Sequence, residues 1–277
     1  MGKQFLQQID NLAFQKIREI IYRKYGIYFR PDKFFSLKHK LNRRMRALGI
    51  DSPPEYLEYL NGKTDEIPFL LDEVSTNKTF FFREASHWHF FQRKILPSVT
   101  EHIVDYRIWS AACSSGEEAY SAAMIVDDYC TVAGRERLTY KVLGTDLSAS
   151  VLNRAISGRY GRADLKDVKS FSKEYARRYF EKDAKTGGLR MKENIKKRVF
   201  FRQFNLREKN YPFKDRFDLI ICRNVLIYFD AEMVQHTINE LTKALKPGGY
   251  MFIGHTEHLN NIKHSLKRIR PAIYRKR

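Results

Sequence analysis

Along FLQQIDNLAFQKIREIIYRKYG, residues 5–26, apolar positions recur at steps of three and four. That spacing lines one face of an α-helix, and Gly26 supplies a natural stop. PDKFFSLKHKLNRRMRALG repeats the punctuation, with Pro31 opening a second helix and Gly49 closing it. SPPEYLEYLNG and DEIPFLLDEVST complete a small helical module over residues 1–75, in which no strand-like alternation occurs. From about residue 106 the pattern changes. YRIWSAA, TYKVLG, RVFFRQF and FDLIICRNVLIYF are β-rich runs. Helical segments AYSAAMIVDDYCTVAG, ASVLNRAISG and AEMVQHTINELTKAL fall between them, and after KPGG comes a last strand, YMFIGH. Strands alternating with helices predict an α/β domain with a mostly parallel, doubly wound, Rossmann-like sheet.

Composition narrows the class. The chain has 277 residues, 43% hydrophobic and 30% charged, enough for a folded core in one large domain or in each of two modest ones. No apolar run approaches about 18 residues, so no membrane insertion is expected. The beginning MGKQFLQQIDN lacks an apolar signal core. Cys113, Cys130 and Cys222 have no metal-ligand spacing, and free thiols suit a reducing, cytoplasmic setting. The net charge of +19 points to an acidic partner. Residues 16–46 hold 11 Lys/Arg against Glu19 and Asp32, residues 159–216 hold 19 against 8 acids, and the last 15 hold 7 against none. Nucleic acid, anionic lipid, an acidic protein surface or simply a solvated basic face would each account for this.

In a doubly wound sheet, ligands bind beyond the carboxyl ends of the strands where strand order reverses. The first of those ends reads Ala111-Ala112-Cys113-Ser114-Ser115-Gly116-Glu117-Glu118. Small residues allow a ligand close to the backbone, but a single glycine is not the G-x-G-x-x-G of a pyrophosphate site. The second ends in Thr145-Asp146, where an acid accepts from ribose hydroxyls or caps the next helix. The fourth ends in Cys222-Arg223-Asn224. A ribose-binding acid without a phosphate loop suits a nucleoside cofactor lacking phosphates, such as S-adenosyl-L-methionine.

NKTFFFRE, residues 77–84, fits neither a half-buried strand nor an amphipathic helix. With Asn77-x-Thr79-x-Phe81-Phe82-Arg83, Ser114-Ser115-Gly116-Glu117-Glu118, Gly144-Thr145-Asp146, Cys222-Arg223-Asn224-Val225-x-Ile227-Tyr228-Phe229 and Gly254-His255-x-Glu257 in order, the chain resembles the CheR-type chemotaxis-receptor glutamate O-methyltransferases. The resemblance runs from about residue 10 to the C-terminus. It implies a Rossmann-like methyltransferase domain at 76–277, an all-α substrate-recognition domain at 1–75, and a small inserted β-subdomain at 163–200. It further implies esterification of glutamates on the cytoplasmic helical bundle of chemoreceptors, with S-adenosyl-L-homocysteine as product, by a monomer that binds no nucleic acid.

Carried over residue by residue, the resemblance implies cofactor contacts from Asn77, Thr79, Arg83, Glu118, Asp146, Asn205, Leu206, Arg223 and Asn224. Arg83 and Tyr228 are expected at the reactive centre, with the phenylalanines as a partly buried wall. The competing reading of Arg83 is a structural ion pair with Glu84 or Glu118. Lys38, Lys40, Arg43, Arg44 and Arg46, clustered on the second helix, are candidates for receptor binding. DAKTGG, a short loop in the β-subdomain, stands where some family members grip a receptor C-terminal pentapeptide. The alternative function is a basic RNA-directed or other protein-directed methyltransferase. Against RNA, the position after the fourth strand reads Arg223-Asn224-Val225 and not the N-P-P-[YF] or cysteine motif of base methylases.

Overall fold

The computed structural model describes residues 2–29, 34–75, 77–99, 104–135, 137–183 and 187–277. Pro31 and most of the DAKTGG loop lie outside the described residues. The chain forms two compact units, residues 1–77 with 227–234, and residues 78–226 with 235–277.

The first unit contains α1 (Gly2–Tyr25), α2 (Phe34–Leu48), α3 (Pro53–Gly62) and α4 (Ile67–Val74). The three- and four-residue spacing becomes burial: Phe14, Ile17 and Ile21 from α1, Leu37, Leu41 and Met45 from α2, and Leu70, Leu71 and Val74 from α4. α1 ends at Gly26, whose φ of +72° is the left-handed conformation that a helix stop requires. Ser52 caps α3 by accepting from the Glu55 N–H. Tyr22 donates to Asp230 at 2.5 Å, and the Tyr28 N–H donates to the Tyr228 carbonyl at 2.7 Å, tying residues 227–234 into this unit.

The second unit opens with α5 (Ala85–Phe90), a π-turn at Phe91–Ile95 and α6 (Leu96–Val99). There follow β1 (Asp105–Ala111), α7 (Glu117–Val132), β2 (Thr139–Asp146), α8 (Ala149–Ser157), β3 (Arg159–Tyr160), α9 (Asp164–Phe171), α10 (Lys173–Tyr179), β4 (Phe180–Lys182), β5 (Leu189–Met191), α11 (Glu193–Lys196), β6 (Val199–Gln203) and β7 (Phe217–Cys222). A 3-10 turn spans Leu226–Tyr228, and α12 (Ala231–Ala244), β8 (Leu245–Phe252), β9 (Leu266–Arg270) and β10 (Ile273–Lys276) end the chain. The main sheet runs β6-β2-β1-β7-β8-β10-β9. Its first five strands are parallel, and β10 lies antiparallel between β8 and β9. Every residue of β7 is buried, as expected of a parallel strand covered on both faces.

Two boundaries differ from the sequence reading. FDLIICRNVLIYF is not one run: the strand stops at Cys222, and Asn224 turns the chain with φ +59°. KPGG is not a turn ahead of the last parallel strand but an irregular start to β8, where the register against β7 shifts.

A second sheet, β3-β5-β4, is antiparallel. The Phe triplet has its place beside it. Phe81 packs edge-on against Tyr160 and Phe180 of this sheet, with ring centroids 4.8 and 5.5 Å away. Phe82 stacks on Phe171 of α9 at 4.1 Å, while Phe80 stays partly exposed. Two of the three rings therefore join the small sheet and its helices to the main core.

Candidate active site

Sheet order reverses about β1, which has β2 on one side and β7 on the other. Asp146, Glu118, Arg223 and Asn224 stand at or beside the carboxyl ends of these strands, where ligands of such sheets bind. The loop after β1 is sharply bent, with Ala112 and Ser114 in the left-handed region and Gly116 at φ +91°. A Cβ on Gly116 would lie 2.8 Å from that of Ala155, so the loop packs down on α8 without room for a side chain. The Cys113 N–H donates to the Thr145 carbonyl, and the Tyr160 hydroxyl donates to the Ser115 carbonyl at 2.8 Å.

Asp146 closes the corner. One carboxylate oxygen accepts from the Ser114 N–H at 2.8 Å and the other from the Ser148 N–H at 3.0 Å. Its backbone carbonyl accepts from the Phe204 N–H, which brings Asn205 and Leu206 beside the β2 end. Asn205 accepts from the Arg207 N–H, and the Leu206 carbonyl accepts from the Tyr211 hydroxyl. A carboxylate offers about four lone-pair directions, so two N–H donors do not saturate it.

The acids that follow are treated differently. Glu117 accepts from the Ser115 hydroxyl, which lies 2.9 and 2.7 Å from its two oxygens, and burial raises its pKa. Glu118 accepts from the Ser110 hydroxyl at 2.6 Å and from Arg223 Nε at 2.8 Å. Arg223 is buried. Its Nη1 donates to the Arg83 carbonyl at 2.8 Å and to Glu84 at 3.3 Å, and its guanidinium lies 5.0 Å from the Trp88 ring centroid. The guanidinium that pairs with Glu84 and Glu118 is therefore Arg223, not Arg83. Among the described residues Arg83 makes no ion pair. It donates to the Lys78 carbonyl and lies over the half-exposed Phe80 ring.

Asn224 donates through its side chain to Glu84, and its N–H donates to Glu257, which also accepts from the Gly254 N–H at 2.6 Å. The motif Gly254-His255-x-Glu257 is thus a brace on the β7 end. Glu84, His87 and His255 bring three ligand atoms within 4.8 Å. The Arg223 guanidinium, 3.3 Å from Glu84 and 3.5 Å from His87 Nδ1, already supplies the positive charge that a metal ion would bring. Burial, then the charges of Arg223 and His255, push the His87 pKa down to about 3.

The structure brings Thr79, Arg83, Glu118, Asp146, Asn205, Leu206, Arg223 and Asn224 into one unit; Asn77 and Tyr228 belong to the other. Sequence reasoning missed Trp88 and Ser121, and named Glu84 and Glu257 without their role as braces. The signal for Glu84 was present in NKTFFFRE, as an acid next to the singled-out arginine. On α2, Lys40 donates to the Val74 and Ser75 carbonyls, and burial lowers its pKa. Arg44 forks onto Glu66 with two bonds of 2.6 Å, and Lys38 lies 5.0 Å from the Phe14 ring centroid. Arg43 pairs with Glu73 while largely exposed, and Arg46 is exposed.

The donor set suits a cofactor that carries a ribose and a positive charge but no phosphates. The crevice offers buried acids and a bent small-residue loop, and no glycine-rich phosphate cradle. The comparisons agree. The CheR methyltransferase SAM-binding domain matches residues 77–274, and the CheR all-alpha domain matches residues 12–75. The chain is 37% identical over 268 residues to a chemotaxis protein methyltransferase of Borreliella burgdorferi, covering 94% of this chain and 93% of that one. Identity is 36% over 271 residues to that of Salmonella typhimurium, with coverage of 93% and 89%. It is 34% over 272 residues to that of Escherichia coli, with coverage of 93% and 90%.

Proposed function

This chain belongs to the CheR methyltransferase family, a group of S-adenosylmethionine-dependent enzymes, and we propose that it esterifies glutamate side chains on the cytoplasmic helical bundle of chemoreceptors. The observation that carries the reading is the match of both family domains in order over nearly the whole chain, the all-α domain at residues 12–75 and the SAM-binding domain at 77–274. In this reading residues 1–75 recognise the receptor, residues 76–277 carry the chemistry, and the expected accessory β-subdomain at 163–200 corresponds to the small sheet that begins earlier, at Arg159, and ends before β6. The enzyme acts in the cytoplasm. Among the described residues no helix is long and apolar enough to cross a membrane.

The chemistry asks little proton transfer of the protein. A glutamate carboxylate, with a pKa near 4.3, is already ionised at neutral pH, so no general base is needed. The cofactor supplies a methyl group on a sulfonium cation. Asp146 holds the ribose diol, with Asn77, Thr79, Asn205, Leu206 and the Cys222–Asn224 turn completing the cofactor site. Arg83 orients a carboxylate through its planar fork, and Tyr228 adds one neutral hydrogen bond. Positive and negative charge cancel on the way to product, so a dry site favours reaction, and Phe80 restricts water beside Arg83. Positioning is the main contribution and can supply roughly 7–11 kcal/mol in favourable cases.

The test is transfer of labelled methyl from S-adenosylmethionine to a purified receptor signalling fragment. Release of the label as methanol on mild base identifies a carboxyl methyl ester. Base-stable label, or label on RNA in preference to receptor, would overturn the assignment.

A further inference from the structure

The segment that carries Arg83 is held in an unusual way. Phe82 and Glu84, on either side, both have left-handed φ, +57° and +59°. Neither is glycine, and such strained conformations persist only where the surrounding structure over-determines them. The surroundings do so here. The Phe82 N–H donates to the buried Ser121 hydroxyl at 3.0 Å. The Arg83 carbonyl accepts two bonds of 2.8 Å, one from Trp88 Nε1 and one from Arg223 Nη1. Glu84 accepts from Arg223, from the Asn224 side chain and from the His255 N–H. Arg223 is in turn fixed from the other side by Glu118, itself locked by Ser110.

Arg223 therefore spans three pieces of chain: the helix after β1, the end of β7, and the bent segment 82–84. Its side chain is 2% exposed and its described bonds go to protein. That geometry is poor for reading a substrate and good for setting the backbone from which Arg83 projects.

We propose that Arg223 is a positioning residue for the methyl transfer, acting through Arg83: it clamps the Arg83 carbonyl between Glu118 and Glu84 and so fixes where the Arg83 guanidinium points. Trp88 Nε1 is the second jaw of the same clamp. The proposal rests on the reading of Arg83 as a group at the reactive centre. It departs from the expectation that the Arg223 side chain is itself a cofactor contact.

The experiment is a pair of double-mutant cycles on the full-length enzyme with a receptor signalling fragment, with cofactor affinity measured in parallel by calorimetry. Arg223→Lys keeps a cation beside Glu118 but cannot reach Glu118 and the Arg83 carbonyl together. It should lower kcat at least tenfold at saturating cofactor and leave the S-adenosylhomocysteine Kd within about threefold. In an Arg83→Ala background the same change should lower kcat less than about twofold, because no guanidinium remains to be placed. Trp88→Phe removes the other donor without touching charge. It should show the same dependence on Arg83, and it stands as the test if Arg223→Lys fails to fold by circular dichroism.

Equal kcat losses with and without Arg83 would overturn the proposal. So would a loss confined to cofactor Kd, which would make Arg223 a binding residue. Full activity of Arg83→Ala would also overturn it, since nothing would then need positioning. Absence of base-labile label with the unaltered enzyme would instead remove the proposed reaction, so the two failures are told apart.

Discussion

The helical unit and the α/β unit use charge in opposite ways. In the first, cations project from one helix and are met by acids and carbonyls of its neighbours. Arg44 is forked onto the buried Glu66, which also accepts from Tyr56, and Lys40 caps the carbonyl end of α4. In the second, acids stand at strand ends and are met by backbone N–H groups and by one buried arginine. The lesson is that charge counted along a sequence is not charge displayed. Five cations on α2 read as one recognition surface, but two of them are structural. Two arginines read as cofactor contacts, Arg83 also at the reactive centre, but Arg223 is buried in ion pairs and, among the described residues, Arg83 is in none.

The sharpest way to break this contrast is to remove a cation said to be structural. Arg44→Ala leaves Glu66, 4% exposed, without its guanidinium. Losing one partner of a buried pair costs about 3–5 kcal/mol, and some residual exposure of Arg44 places the expectation near the lower figure, about 3 kcal/mol. Denaturant unfolding should show that loss, and the receptor KM of whatever remains folded should be unchanged. A stable variant with a raised KM would move Arg44 back to the recognition surface.

On the α/β side the equivalent test is Asp146→Ala. It removes the acceptor for the Ser114 and Ser148 N–H groups and the proposed ribose ligand. Affinity for S-adenosylhomocysteine should fall by about 1.5–3 kcal/mol. Calorimetry with a folded variant that binds normally would take Asp146 out of the site.

The buried histidine gives a pH prediction. His87 faces Glu84, Arg223, His255 and Phe252. Its folded pKa of about 3 lies below the ordinary 6.5, so below pH 6.5 the unfolded chain binds a proton that the folded one refuses. Stability from this group is fully present above about pH 6.5 and is lost as pH falls toward 3. At pH 5 the loss is about 2 kcal/mol. His87→Phe should flatten that part of the stability–pH curve; an unchanged slope would mean that another group sets it.

How far the sequence carried the fold follows from element size. α1 and α2 were legible because many apolar residues repeat at helical spacing and each helix ends before a glycine. The parallel strands were legible as apolar runs between helices. FEKDAKTGGLRMKENIKKRVFF reads as a Gly-Gly hairpin, which β4 and β5 form, but β3 has two residues, too few to show a period, and its pairing joins Arg159 to Arg190 across the chain. The place of β10 between β8 and β9 is likewise set by long-range packing. Within the site, Asp146 and the β1 loop could be read from strand ends. The partner of Glu118 could not: the sequence suggests Arg83 for that pair, and only the β7 geometry brings Arg223 to it.

Arg83→Ala sharpens the contrast between the two arginines. Turnover should fall at least about tenfold, roughly 1.4 kcal/mol, with stability nearly unchanged, since among the described residues no ion pair is lost. Tyr228→Phe should cost less, because one neutral hydrogen bond replaces two directed donors and a charge. Full receptor methylation by Arg83→Ala would end its catalytic assignment.

The smallest effect is expected from the cations of α2 that do remain in solvent. Arg43→Glu with Arg46→Glu leaves Lys40 and Arg44 in their structural places, so the unit should keep its fold. Exposed charges contribute little individually, but an acidic receptor helix approaching a basic face is steered by their sum. The receptor KM should rise about threefold to fivefold at low salt, with cofactor affinity intact. The difference should shrink as ionic strength shortens the screening length to about 8–10 Å. A triple variant that also reverses Arg44 would mix this effect with lost stability, which is why Arg44 is left alone. Identical receptor kinetics for the double variant and the unaltered enzyme at low salt would make this a solvated helix face. The receptor would then have to be recognised elsewhere on the molecule, with the basic stretches at 159–216 and at the last 15 residues the next to test.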